Sequence, residues 1–437
     1  MLPLALFFTQ PLTAAPSSTK KHGSGRSLKP RNVWVAWALA ALALMATTLI
    51  PTAAFAATRT DETSSSSDSP EDGGDSSGNA RTVPHWSSSF TDPTNHVTYP
   101  FTMVGSDPRL GRSTKVKTEI VPLKFKFVAG SQNVSLHSPT PQAATMDGRA
   151  NVADTEASPI FTPANFNISG DDGVQYGDAF MRAQFGKVGT GYHVVLGKPK
   201  VAKTVSISVP ESKGVAVLNP AGVLIGLVDS NWFRERLANL IHKLEIKPST
   251  LPIFLTNNVF LYENNDLHQL TLGGHGAGSP ASNAPVTLTG HKAVRTFVFA
   301  AYIAPNTFLG LPPPIAGLSD INVLSHEIAE WMDNPFGSNK VQPYQIPVAP
   351  GACSADLETG DPLRGVSFPM PGNPNDAAGF WHPQDELFLN WFARDGEDRP
   401  GLAPSDGRYT YMGPLTTRLG GPFRAFTSGA LACLASP

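Results

Sequence analysis

Ser325-His326-Glu327-Ile328-Ala329-Glu330-Trp331-Met332-Asp333-Asn334-Pro335 contains the pattern His-Glu-x-x-Glu. On a helix His326 and Glu330, at i and i+4, project from one face with Glu327 beside them. That is the geometry of a metal site with a built-in base. A helix is expected here: Ser319 or Asp320 can cap its start, Ile321, Leu324, Ile328 and Met332 form an apolar stripe, and Asn334-Pro335 ends it with Gly337 just beyond. His326, Glu330 and Asp333 then fall on the side away from the stripe. A solvated polar face is the alternative, but such faces usually mix charge signs. Residues 319–339 carry four acids (Asp320, Glu327, Glu330, Asp333) and no Lys or Arg, so a cation is missing from the local balance.

The 437 residues, 41% hydrophobic and 16% charged, suffice for one large or two medium domains, and 39 Gly with 40 Pro point to β-structure with many turns. A net charge of −2 leaves no electrostatic footprint for nucleic acid. The chain has no Gly-x-Ser-x-Gly elbow, phosphate loop, dinucleotide fingerprint or internal repeat of the usual lengths.

Residues 1–56 read as a leader and signal peptide. Lys20, Lys21, Arg26, Lys29 and Arg31 precede an apolar run from Val33 to about Ile50, and Ala54-Phe55-Ala56 offers a small-x-small cleavage site. The run is also long enough for an uncleaved anchor. Cleavage after Ala56 leaves no membrane span and places the protein outside the cell or at its surface. Residues 57–95, rich in Ser, Gly and Asp, are expected to be a disordered linker, with folding from about His96.

An α+β fold is expected, with a β-rich part at 96–228 and a second part at 229–437. Lys115 to Phe127 alternates polar and apolar residues, as a half-buried strand with its lysines on a solvated edge would. His193–Leu196 and Thr204–Val209 read as strands, Gly214 to Val228 as a hairpin, and Asp178–Phe185 as a short helix. The second part opens with Asp229-Ser230 capping a helix from Asn231 to about Glu245. Strands at Ile253–Leu255 and Val259–Tyr262 follow, then a glycine loop at Gly273-Gly274-His275-Gly276, a strand at Val294–Ile303 and a proline loop at 312–314, ahead of the motif helix.

Over about Asp229 to Asn334 this order resembles the upper subdomain of zincin metallopeptidases, in which the motif helix lies under a twisted sheet and substrate pairs along an edge strand. As sequence the resemblance rests on the short motif. It implies that His326 is a zinc ligand and Glu327 the general base, acting on a peptide or protein substrate. Glu330 stands where that family has its second histidine. A carboxylate can ligate Zn²⁺, yet it makes the site harder and more negative, which suits another divalent metal such as Ca²⁺ or a site that has lost catalysis. The motif followed by its Asp-x-Pro turn is also similar to exported bacterial proteins of undetermined function.

A catalytic zinc centre needs a third protein ligand. Cys353-Ser354-Ala355-Asp356-Leu357-Glu358-Thr359-Gly360-Asp361-Pro362 supplies Asp361 as first choice and Glu358 as second; the alternative is a turn in which Asp361 bonds its own backbone. His275 and His382 are further candidates, with His382-Pro383 otherwise opening a helix into the apolar run at 387–392. Tyr409 and Tyr411 could serve an oxyanion or simply pack. Cys353 and Cys433 are expected to form a disulfide, worth roughly 4 to 5 kcal/mol on the chain-entropy model. The expected function is an exported zinc metallopeptidase. The alternative is a non-enzymatic secreted or surface module with a degenerate or structural Ca²⁺ site.

Overall fold

The computed structural model describes residues 82–128, 143–166, 173–219, 221–263, 266–278, 293–309, 315–346, 353–394, 408–412 and 433. The expected leader, the linker up to residue 81 and the proline loop at 312–314 lie outside these residues. The fold is α+β, with several sheets and few helices. Among the described residues no helix is long and apolar enough to cross a membrane.

The order begins earlier than His96. β1 (His85–Thr91) pairs antiparallel with β2 (Thr98–Val104), and Trp86 and Phe90 are buried from it. Three serines between these aromatics give the stretch a linker's composition, which is why the strand was hidden.

β3 (Ser113–Phe127) is the spine of the main sheet. β4 (Ala144–Asp147) pairs with its far end, and β5 (His193–Leu196), β6 (Lys200–Val201) and β7 (Val205–Val209) run parallel to it in succession. β8 (Gly214–Leu218) and β9 (Leu224–Asp229) form the expected hairpin. After the helix Ser230–Lys243, whose start is capped by Asp229 accepting from Trp232 N at 2.8 Å, comes β10 (Thr250–Asn257), parallel to β3. β11 (Val259–Glu263) joins β9, and β12 (Asp266–Thr271) joins β11. β13 (Gly273–Ala277) is the antiparallel outer strand on β14 (Thr296–Tyr302), which is parallel to β10.

Two expectations are corrected by this pairing. The division at 228/229 is crossed by both sheets, since β3 bonds to β10 and β9 to β11; parallel neighbours need long crossovers, which leave no local trace in sequence. Lys115–Phe127 is not a wet edge. Ile120, Val121, Pro122 and Leu123 are buried on both faces, with Lys115, Lys117 and Lys126 reaching solvent only toward the strand's ends.

Successive residues of β10 feed two cores, as a period of two requires. Ile253 and Leu255 join Leu324, Ile328 and Met332 of the motif helix, Asn322–Asp333; Phe254 joins Phe233, Leu237 and Ile241 of Ser230–Lys243. The sheet is thus covered on one face by the motif helix, with the helix Tyr176–Gln184 beside it, and on the other by Ser230–Lys243. Burying each large apolar side chain of the motif stripe contributes roughly 1.5–3 kcal/mol, so the position of His326 and Glu330 is set by packing.

β15 (Lys340–Gln345) and β16 (Cys353–Asp356) form a ribbon beyond the motif helix, and β17 (Met370–Pro371) pairs with β18 (Phe380–Trp381). Cys353 and Cys433 are disulfide-bonded, with α-carbons 5.7 Å apart.

Candidate metal centre

The motif helix begins after Ile321 without a side-chain cap. Asp320, an expected cap, sits at φ +43° and serves another purpose: it accepts from the backbone of Ile321 (2.5 Å) and of His382 (3.0 Å) and from His382 Nδ1 (2.7 Å). His382 is therefore taken up by Asp320 and by Ser319 Oγ (2.9 Å), outside the acidic cluster. The helix expected from Pro383 is also absent: residues 382–388 run extended, with bridges from Gln384 to Ser367 and from Leu387 to Thr410, and only Leu389–Phe392 is helical. Tyr411 donates to the Tyr176 carbonyl at 2.7 Å, a packing role.

The polar side of the motif helix faces protein. Glu327 and Glu330 are 5% and 3% exposed, and Asp333 is fully buried. Asp333 is turned away from the other two and accepts from Gln184 Nε2 at 2.7 Å, so it is not grouped with His326 and Glu330.

The outer strand β13 was expected as a loop. It lies over the motif helix, and its glycines permit the approach: a β-carbon on Gly273 would stand 2.5 Å from Glu327 Oε1 and 2.6 Å from Val323 Cγ1. This strand brings in His275, whose Nδ1 lies 3.3 Å from Glu327 Oε2 and 3.6 Å from Glu330 Oε2, and whose Nε2 lies 3.8 Å from Glu358 Oε2. His326 Nε2 is 3.1 Å from Glu330 Oε2, 3.9 Å from Asp361 Oδ1 and 4.0 Å from Glu327 Oε1.

Downstream of β16 the chain supplies both expected carboxylates. Glu358 accepts from Asn334 Nδ2 at 3.1 Å. Asp361 opens a short 3-10 turn, Asp361–Leu363, and accepts from Arg364 Nε at 2.6 Å. Gly360 between them donates its N–H to Glu330 Oε1 at 3.1 Å.

Three participants were not foreseen: Arg364, Gln384 and Glu386. Gln384 Nε2 donates to the Gly360 carbonyl and to His326 Nδ1, each at 2.8 Å. With Nδ1 accepting, the neutral ring carries its proton on Nε2, toward Glu330. Glu386 is wholly buried beside the Tyr176 hydroxyl, which also donates to the Gln384 carbonyl at 2.8 Å. The visible signal was the pair Asp385-Glu386 set directly against an apolar run, which was read as a helix start.

Five carboxylates (Glu327, Glu330, Glu358, Asp361, Glu386) thus lie together in the interior with two imidazoles and the Arg364 guanidinium. Burial pushes Glu327 up to about 7, with nearby His326 opposing the shift. Glu330, Glu358 and Glu386 are held well above the usual carboxylate range, first by burial and then by neighbouring acids. Glu330's ion-pair partners among the described residues are His326 and His275, with no lysine or arginine. The donor types suit a divalent cation: imidazole nitrogen and several carboxylates. Two sets have ligand atoms within 4.8 Å of one another, His326 with Glu330 and Asp361, and His275 with Glu327 and Glu330.

The chain matches no protein-family model, and no curated protein or solved structure is significantly similar to it.

Proposed function

We propose that the protein is an exported, metal-dependent hydrolase, a zinc metallopeptidase in which Glu327 is the general base. The observation that carries the reading is the convergence of buried carboxylates on His326 and Glu330, where a cation would relieve repulsion that otherwise calls for protons. Export is supported by the disulfide, which belongs to an oxidising compartment. The zincin-like order of elements is supported by the motif helix under β14 and the antiparallel outer strand β13 beside it.

His326, Glu330 and Asp361 would hold the ion. It would supply Lewis-acid polarisation of the scissile carbonyl and acidify the attacking water to a pKa of about 7. To present Nε2 as a donor, His326 must pass its proton to Nδ1, and the Gln384 amide must turn accordingly. Glu327 takes a proton from the water as its oxygen attacks the carbonyl carbon. It then delivers that proton to the leaving nitrogen as the C–N bond breaks, giving a carboxylic acid and an amine. Arg364 holds Asp361 in place through the ion pair at Oδ1.

Replacing Glu327 with Gln is expected to abolish peptide hydrolysis with an ion still bound. Retained hydrolysis in that variant would remove the proposal.

The oxygen-rich donor set favours a second reading, a non-enzymatic module with structural Ca²⁺, because hard carboxylate ligands suit that ion. The two imidazoles favour zinc. Tighter binding of Ca²⁺ than of Zn²⁺, with no hydrolysis of any peptide, would decide for the module.

A further inference from the structure

We propose that the pocket holds two divalent cations, with Glu330 as their common ligand and His275 and Glu327 completing the second position. This rests on the metal-centre reading above and extends it.

The two imidazoles belong to separate donor sets and flank Glu330, whose Oε2 is 3.1 Å from His326 Nε2 and 3.6 Å from His275 Nδ1. Donors bound to one tetrahedral ion at about 2.0–2.1 Å stand about 3.3 Å apart. His275 Nδ1 and Glu327 Oε2, hydrogen-bonded at 3.3 Å, stand at the length of such an edge without involving His326. Two-metal sites hold their ions about 3.5–4 Å apart, a separation that one carboxylate can bridge.

Charge gives an independent indication. Two divalent ions and the Arg364 guanidinium together carry as many positive charges as the five carboxylates carry negative ones, whereas a single ion leaves a deficit. Glu386, 0% exposed, adds its charge beside Glu330 and Glu327, with the Tyr176 hydroxyl as its hydrogen-bonding neighbour. Filling the second position engages Glu327 Oε2, so the state with one ion is the one in which Glu327 is free to act as base.

The test is titration of the chelator-stripped full chain with Zn²⁺, read as ions bound per chain by calorimetry and by elemental analysis after gel filtration, for the parent and for His275→Ala. Two ions in the parent and one in His275→Ala are expected. One ion in both would overturn the second position and leave the first standing. One ion in the parent and none in His275→Ala would make His275 a ligand of a single centre and overturn the proposal equally. No ion in either would overturn this proposal together with the reading it rests on. Should His275→Ala not fold by circular dichroism, Glu327→Gln serves the same purpose, with a fall from two ions to one expected, and the parent's own count still decides.

Discussion

Gly360 packs so closely on His326 that a β-carbon there would lie 2.2 Å from the ring's Nδ1. Its backbone is at φ −85°, which any residue adopts, so the glycine is required by the contact and not by the turn. Gly360→Ala should therefore leave the fold intact by circular dichroism and weaken Zn²⁺ binding at least about tenfold, or roughly 1.4 kcal/mol, by pushing the ring off Glu330. Unchanged affinity in calorimetry would show that His326 is not a ligand.

The metal-free chain should lose stability as pH rises. Glu327 titrates at about 4.5 unfolded and about 7 folded, so its neutral form is the one the fold favours. Stability from such a group is fully present below about pH 4.5 and is lost as pH rises through about 7, at no more than about 1.4 kcal/mol per unit. Glu330, Glu358 and Glu386 shift in the same direction. Zn²⁺ at 100 times its Kd should restore about 2.7 kcal/mol. Urea midpoints between pH 5 and 8, with and without Zn²⁺, would show this; a flat profile without metal would contradict it.

Asp333 should behave as a structural acid. Burial pushes it to about 8, the Gln184 amide opposes the shift, and Oδ2 has no hydrogen-bond partner among the described residues. By the same sign, its contribution is present below about pH 4 and lost through about pH 8. Asp333→Asn keeps an acceptor for Gln184 and should stabilise the chain above pH 8, because it removes a charge that burial disfavours. Zn²⁺ affinity should not change in this variant; a fall of tenfold would place Asp333 in the centre after all.

Reduction of Cys353–Cys433, separated by 80 residues, should cost about 4–5 kcal/mol on the chain-entropy model. Because β16 leads directly into Glu358 and Asp361, the same treatment should lower Zn²⁺ affinity. Unfolding of the Cys433→Ser variant at the parental denaturant concentration would contradict the first expectation.

The locally encoded parts of the fold were legible. The stripe Ile321, Leu324, Ile328, Met332 and the Asp229 cap are i, i+3, i+4 and capping signals, and the hairpin 214–229 shows as two short apolar runs around the turn residues Asn219, Pro220 and Gly222. What joins strands across long crossovers was not: nothing within 113–127 indicates pairing with 250–257. The site divides in the same way. His326, Glu327 and Glu330 lie within one turn and declare themselves, whereas His275, Gln384 and Glu386 arrive from segments that meet only through the tertiary fold. His382 misled because a histidine beside a proline offers no sign that Asp320 will capture it.

The most direct test of the central claim is the zinc content of the purified chain beside that of a His326→Ala, Glu330→Ala double variant. At least one Zn²⁺ per chain in the parent, lost in the variant, is the result expected. No metal in the parent after exposure to Zn²⁺, or the same content in both, would contradict it.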